Sequence, residues 1–146
     1  MPSASLPFRA LLLRCARLLS DEINTILLSS QLNYSLWQVL YVIQTHQQCT
    51  LMNISHYLNV SKPSISKRIQ NLVELGLISQ LETADKRQKL FTLSEQGVET
   101  FALGSTQIEA FEKQLLEQIS SDDIESSKNI LMQLIQQLQP ASQDRL

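Results

Sequence analysis

Glycine is scarce in this chain. Of 146 residues only Gly76, Gly97 and Gly104 are glycine, and their spacings cannot build G-x-G-x-x-G or G-x-x-x-x-G-K-[ST], so both glycine-rich nucleotide fingerprints are excluded. Proline is nearly as rare, with four. Shortage of both residues in a chain rich in Leu, Ile, Gln and Ser predicts a mainly α globular fold rather than a disordered or loop-stapled one. Two cysteines, Cys15 and Cys49, are too few for a disulfide framework. No apolar run approaches the roughly 18 residues of a membrane span, which excludes a membrane-embedded chain. Arg9, Arg14 and Arg17 interrupt the leucines of the first twenty residues, so that stretch loosely resembles an acid-free transit peptide but lacks the apolar core of a secretory signal. It reads better as a helix of the fold, and a cytoplasmic protein without membrane contact is the expectation. The 43% of residues that are hydrophobic, against 18% charged, suffice for the core of one domain.

The net charge of -2 hides an uneven distribution. Residues 61–90 carry Lys62, Lys67, Arg68, Lys86, Arg87 and Lys89 against three acids, whereas residues 91–139 carry eight acids against Lys113 and Lys128. A short basic block inside an acidic protein is a footprint for a polyanion, because phosphate neutralisation is local. A solvated positive face is the plainer reading, and charge alone favours it.

Phe8, Leu11, Leu12, Cys15, Leu18, Leu19, Ile23, Ile26 and Leu27 recur at helical steps and predict a long first helix. Ser35 is the expected cap of a second helix that ends near Thr45. A short third helix runs from Thr50 to Asn59, the length usual for the first helix of a helix-turn-helix. Ser61 caps a fourth, with Pro63 in its first turn, Ile65, Ile69 and Leu72 as its apolar stripe, and Gly76 to end it. Leu77–Glu82 and Lys89–Leu93 predict a β-hairpin with a charged tip. Ser94 caps a long fifth helix reaching Ile119, and Asp122 and Asp123 open a sixth that stops at Pro140, leaving a frayed tail from Ala141. The order is that of a winged helix-turn-helix between long flanking helices. The expected division is one domain over residues 1–146, with a winged core at 35–97 and dimerisation helices at 6–33 and 98–139. Those flanks carry more apolar surface than the core can cover, which predicts a homodimer.

The segments SHYLNVSKPSISKRIQNLVELGLI and ADKRQKLFTLSEQG resemble the MarR family of bacterial transcription regulators. The family tends to have a Ser-capped recognition helix, a Leu-Glu-x-x-Gly-Leu-Ile exit, Asp-x-Arg in the wing and Leu-Thr-x-x-Gly entering the next helix. Here Ser61, Leu72, Glu74 to Ile78, Asp85, Arg87, Leu93, Ser94 and Gly97 carry the likeness. Gln70 and Asn71 stand where the family often has an acidic and a basic residue, and Ser94 replaces the commoner Thr. The resemblance implies a symmetric dimeric repressor that binds duplex DNA at a pseudo-palindromic operator and releases it when a small aromatic or phenolic ligand, or an oxidant, reaches it.

Projected on a helical wheel, the side opposite the apolar stripe of the fourth helix carries Pro63, Lys67, Gln70 and Glu74, flanked by Ser64 and Asn71. Helix-turn-helix readers insert the start of this helix into the major groove. Pro63, Ser64, Lys67, Gln70 and Asn71 are therefore the expected base readers, with Lys67 suited to guanine and Gln70 to adenine. Ser61, Lys62, Ser66 and Arg68 are the expected phosphate contacts. In the hairpin, Arg87 suits a narrow minor groove, Asp85 is expected to pair with it, and Lys86 and Lys89 add phosphate contacts. A module that keeps this scaffold but binds only protein is the alternative function.

Tyr34, Trp37 and Tyr41 recur around the second helix. Core or dimer packing accounts for them, with a ligand cavity implied by the resemblance alone. His46, Cys49 and His56 have metal-binding side chains but no fourth ligand at a standard spacing, so no metal and no cofactor is expected. Cys15, on the apolar stripe of the first helix, reads as inert rather than as a redox sensor. No catalytic set of Ser, His, Asp or Cys stands out, and an enzyme is not expected.

Overall fold

The computed structural model describes residues 5–85 and 87–139. Lys86, and the expected stop at Pro140 with the tail after it, lie outside the described residues.

Helix α1 spans Phe8–Leu27 and begins after Pro7 with no side-chain cap. One 3₁₀ turn, Leu28–Ser30, follows, and Gln31 takes the left-handed conformation at φ 59°. The Leu32 N–H then returns to Leu27 O at 3.1 Å, burying Leu32 and reversing the chain. The cap of the next helix, α2 at Tyr34–His46, is Asn33 and not the expected Ser35. Asn33 Oδ1 accepts from the Leu36 N–H at 2.9 Å, which leaves Ser35 inside the first turn. Val39, Leu40, Val42 and Ile43 of α2 are fully buried. This helix is the axle of the fold, with α1, α3, α4, α5 and the sheet packed around it.

Cys49–Thr50 form a two-residue strand, β1. Thr50 also caps α3, Leu51–Leu58, by a reciprocal capping box with Asn53, each side chain accepting from the other's N–H at 3.1 Å. Asn59, left-handed at φ 55°, turns the chain. The Ser55 hydroxyl donates to Val60 O at 2.6 Å and so satisfies a polar group inside that turn. Helix α4, Lys62–Glu74, starts at the Ser61 cap with proline in its first turn, and buries Ile65, Ile69 and Leu72 as its stripe predicts. Gly76 at φ 77° lets the Leu77 N–H return to Leu72 O at 2.9 Å; a side chain is strained at such a φ.

Strands β2, Ile78–Leu81, and β3, Leu90–Leu93, pair antiparallel with Ile78 opposite Leu93. The hairpin expected from sequence is one edge of a three-stranded sheet in the order β1-β3-β2, since Cys49 pairs with Phe91. Two residues are too short a signal for the alternation that reveals strands. Helix α5, Glu95–Leu115, is capped by Ser94. It crosses Trp37 at Gly104, where a Cβ would stand 2.5 Å from the indole ring. It ends before the expected Ile119, which falls in turns leading to the Ser120 cap of α6, Ser121–Leu138.

The core is built from α2, α4, the sheet and Ile54 of α3, with only the C-terminal end of α1 contributing. Of the predicted stripe of α1, Phe8, Leu11, Cys15 and Leu18 are exposed, and no residue of α6 is buried.

Candidate nucleic-acid interface

Capping decides where α4 points its polar groups. Ser61 Oγ accepts from the Ser64 N–H at 3.4 Å and donates to Ser64 Oγ at 3.0 Å, so the helix starts at the protein surface. Ser61, Lys62, Pro63, Ser64, Ser66, Lys67, Gln70 and Asn71 are all exposed on it. Arg68 differs. It is half-buried, and its Nη1 donates to Ser35 O at 3.2 Å and to Gln38 Oε1 at 3.4 Å on α2. Two of its donor directions thus look inward, and only the remaining guanidinium N–H groups can face a phosphate.

At the wing, the Asp85 carboxylate accepts from the backbone N–H of Arg87 at 3.0 Å. The expected pairing with the Arg87 guanidinium is not formed. The short acidic side chain instead folds the tip into an Asx turn, which leaves the Arg87 side chain exposed and without an ion pair among the described residues. Thr83 completes the tip, its Oγ1 lying 2.5 Å from Asp85 O and 2.7 Å from Gln88 O. Sequence reasoning passed over Thr83 because a lone threonine in a charged loop carries no pattern.

Two clefts flank α4. One, of about 580 Å³, lies between the start of α3 and the wing and is lined by Thr50, Asn53, Lys62, Arg87, Gln88 and Lys89 with Leu51, Met52 and Phe91. The other, of about 270 Å³, lies between the start of α2 and α4 and is lined by Asn33, Ser35, Leu36, Ser64, Lys67, Arg68 and Asn71. Among the described residues neither is lined by an acidic side chain. Asn33, Ser35, Thr50 and Asn53 join the interface through chain folding, and no spacing along the sequence brings them there.

A third cleft, of about 320 Å³, is of another kind. Tyr34, Trp37, Gln38, Tyr41, Tyr57, Ile23, Leu58 and Ile108 line it. Tyr34, Trp37 and Tyr41 therefore do meet at one cleft, although Trp37 is also core, stacked on Phe101 with centroids 4.6 Å apart. His46 Nδ1 and Cys49 Sγ both turn to Val42 O, at 3.0 and 3.8 Å, and among the described residues no group of three His, Cys, Asp or Glu side chains is placed to hold a metal ion. Burial pushes the Cys49 thiol above its ordinary pKa by desolvating the thiolate. Among the described residues no helix is long and apolar enough to cross a membrane.

A capped reading helix beside a basic two-stranded wing defines a DNA-binding transcription regulator of the winged helix-turn-helix class. A sequence model of the MarR family matches residues 30–88. An HTH-type transcriptional regulator of Bacillus subtilis, YwoH, is 30% identical over 122 residues, covering 84% of this chain and 89% of its own length. The chain belongs to the MarR family. Among solved structures it is similar to Staphylococcus aureus MarR in complex with salicylate and kanamycin, at 28% identity and TM-score 0.83 over 90% of this chain and 89% of that one. It is also similar in fold to the S. aureus MepR–DNA complex, at 21% identity and TM-score 0.83 over 92% of this chain and all of that one. Its family is one of regulators, not enzymes.

Proposed function

We propose that the chain acts as a homodimeric cytoplasmic repressor. Each protomer inserts the start of α4 into the major groove of a pseudo-palindromic operator whose half-sites lie about one helical turn, roughly 10 bp, apart. The observation that carries this reading is the exposed polar face of α4 with an acid-free basic cleft on either side of it. A duplex presents a phosphate strand on each side of its major groove, and the two clefts are seats for those strands. Pro63, Ser64, Lys67, Gln70 and Asn71 meet base edges, with Lys67 donating to guanine and Gln70 pairing with adenine. Ser61, Lys62, Ser66, Arg68 and Lys89, together with Lys86, hold the backbone. Arg87 enters the minor groove, on a tip shaped by Asp85. The aromatic cleft takes a small aromatic or phenolic effector that relieves repression. The salicylate in the similar S. aureus MarR supports that class of ligand.

Duplexes selected from a random pool by the purified protein, then titrated at rising salt, test the reading. Phosphate contacts require the logarithm of the binding constant to fall linearly with that of salt concentration. Selection of no common sequence, or an affinity indifferent to salt, would contradict it.

A further inference from the structure

One hydroxyl joins the exit of the reading helix to the entry of α5. Ser94 Oγ accepts from the Gly97 N–H at 3.0 Å, as a helix cap does, and donates its own proton to Gly76 O at 2.6 Å. Beside it, the Ser94 N–H donates to Leu77 O at 3.0 Å. The two backbones also meet directly: a Cβ on Gly97 would stand 2.0 Å from Leu77 O, so only glycine fits there. Capping uses the acceptor side of the hydroxyl alone. The proton given to Gly76 does nothing for α5 as a helix; it ties one element to another.

That tie governs an angle. Further along, α5 is held on the winged core by Phe101, stacked on Trp37, and by Gly104 against the same ring. At 1.5 Å of rise per residue, roughly 10–15 Å separate these attachments from Ser94. A slip at the Ser94 end by one base-pair rise, about 3.4 Å, would tilt α5 against the core by about 15°. Because α5 leads into α6 and its exposed apolar row, the angle between α4 and α5 is handed on to the second copy.

We propose that Ser94 is a positioning residue for operator choice: by tying the exit of α4 to the entry of α5, it fixes how the two reading helices of the dimer are set apart, and so which half-site spacing is accepted. This rests on the homodimeric operator reading above, and adds the residue that sets the spacing.

The operator that the parent selects from a random pool is compared with the same half-sites set one base pair closer and one farther, and with a duplex carrying one half-site. Affinities are read by anisotropy of labelled duplexes. In the parent, a changed spacing should forfeit much of the roughly 10²–10⁴-fold gain from engaging both half-sites at once. Ser94→Asp still caps α5 but has no proton to donate to Gly76, and Ser94→Ala has neither group without adding charge. Both should lower the ratio of matched to altered spacing by about tenfold or more, and each serves alone should the other fail to fold. Single half-site affinity in Ser94→Ala should stay at the parent value. Ser94→Thr keeps both bonds and should keep the parent ratio. Parent-like ratios in the folded Asp and Ala variants, an equal fall of Ser94→Ala on the single half-site, or a lost ratio in Ser94→Thr overturns the proposal. A parent that binds one half-site as tightly as two would instead remove the dimeric operator reading, and this proposal with it.

Discussion

At the scale of single residues, the structure separates groups that present charge from groups that aim it. Arg87 is exposed and carries no ion pair among the described residues, whereas Asp85 spends its carboxylate on the Arg87 backbone N–H. Arg87→Ala should therefore weaken binding to specific and random duplexes alike and lower the slope of the salt titration by about one, as expected for a single lost cationic contact. Gln70→Ala should behave differently. It should cost about 1–3 kcal/mol on the preferred sequence and relax preference at one base-pair position, read by competition between matched and mismatched duplexes. Equal losses on every sequence would demote Gln70 to a backbone contact. Cys49 offers a prediction of another kind. Its raised pKa means that the folded state holds the thiol proton more tightly than the unfolded chain does. Its contribution to stability is thus intact below the ordinary thiol range and lost as pH rises through the raised value. Cys49→Val should flatten the alkaline fall of a pH series of denaturant midpoints, relative to the parent. The exposed and buried faces of α4 were legible in the sequence, because a helical wheel sorts Ile65, Ile69 and Leu72 from Lys67 and Gln70 by period alone. The partners of Arg68 and Asp85 were not, because hydrogen bonds to the backbone of another element leave no trace in spacing.

At the scale of elements, capping explains both the success and the error in reading helix boundaries. Ser61 and Ser94 cap their helices as the sequence suggests, and Ser120 caps α6 in the same way, each accepting from an N–H three residues on. At α2 two capping residue types stand two positions apart, and Asn33 holds the position. The left-handed Gln31 before it and the buried Leu32 set where the chain can turn. Asn33→Ala should lower stability by about 1 kcal/mol, the usual worth of such a cap, and Ser35→Ala by much less; chemical denaturation of both variants checks the assignment. A larger loss from Ser35→Ala would return the cap to where the sequence alone put it. Strand β1 was out of reach for a related reason: two residues gain their strand character only from Phe91 and Leu90 across the sheet. Packing between elements is sharper still at Gly104, where α5 and the Trp37 ring leave no room for a methyl group. Gly104→Ala must displace α5 or the indole, so it should destabilise by about 1–3 kcal/mol despite the better helix propensity of alanine, with an altered Trp37 emission reporting the shift.

At the scale of the whole molecule, two facts belong together. Acidic residues are concentrated on α5 and α6 and basic ones on α4 and the wing, and the flanking helices keep apolar side chains in water. On α6 Ile130, Leu131, Met132, Ile135 and Leu138 are exposed, and on α1 Phe8, Leu11, Leu13 and Leu18. Such rows at helical spacing are expensive for a monomer and complementary to a second copy. They also supply what one reading helix lacks. A single α4 samples one half-site, whereas two held at a fixed separation convert the second contact into an intramolecular event, which raises affinity by roughly 10²–10⁴-fold without any new contact. The double substitution Leu131→Glu with Ile135→Glu changes no residue near α4 or the wing. It should yield a monomer by sedimentation, a melting temperature that no longer rises with protein concentration, and operator affinity lower by a factor in that span. Binding to a duplex carrying one half-site should stay close to that of a parent protomer. Operator affinity unchanged in a proven monomer would mean that the terminal helices serve some purpose other than spacing the two reading helices.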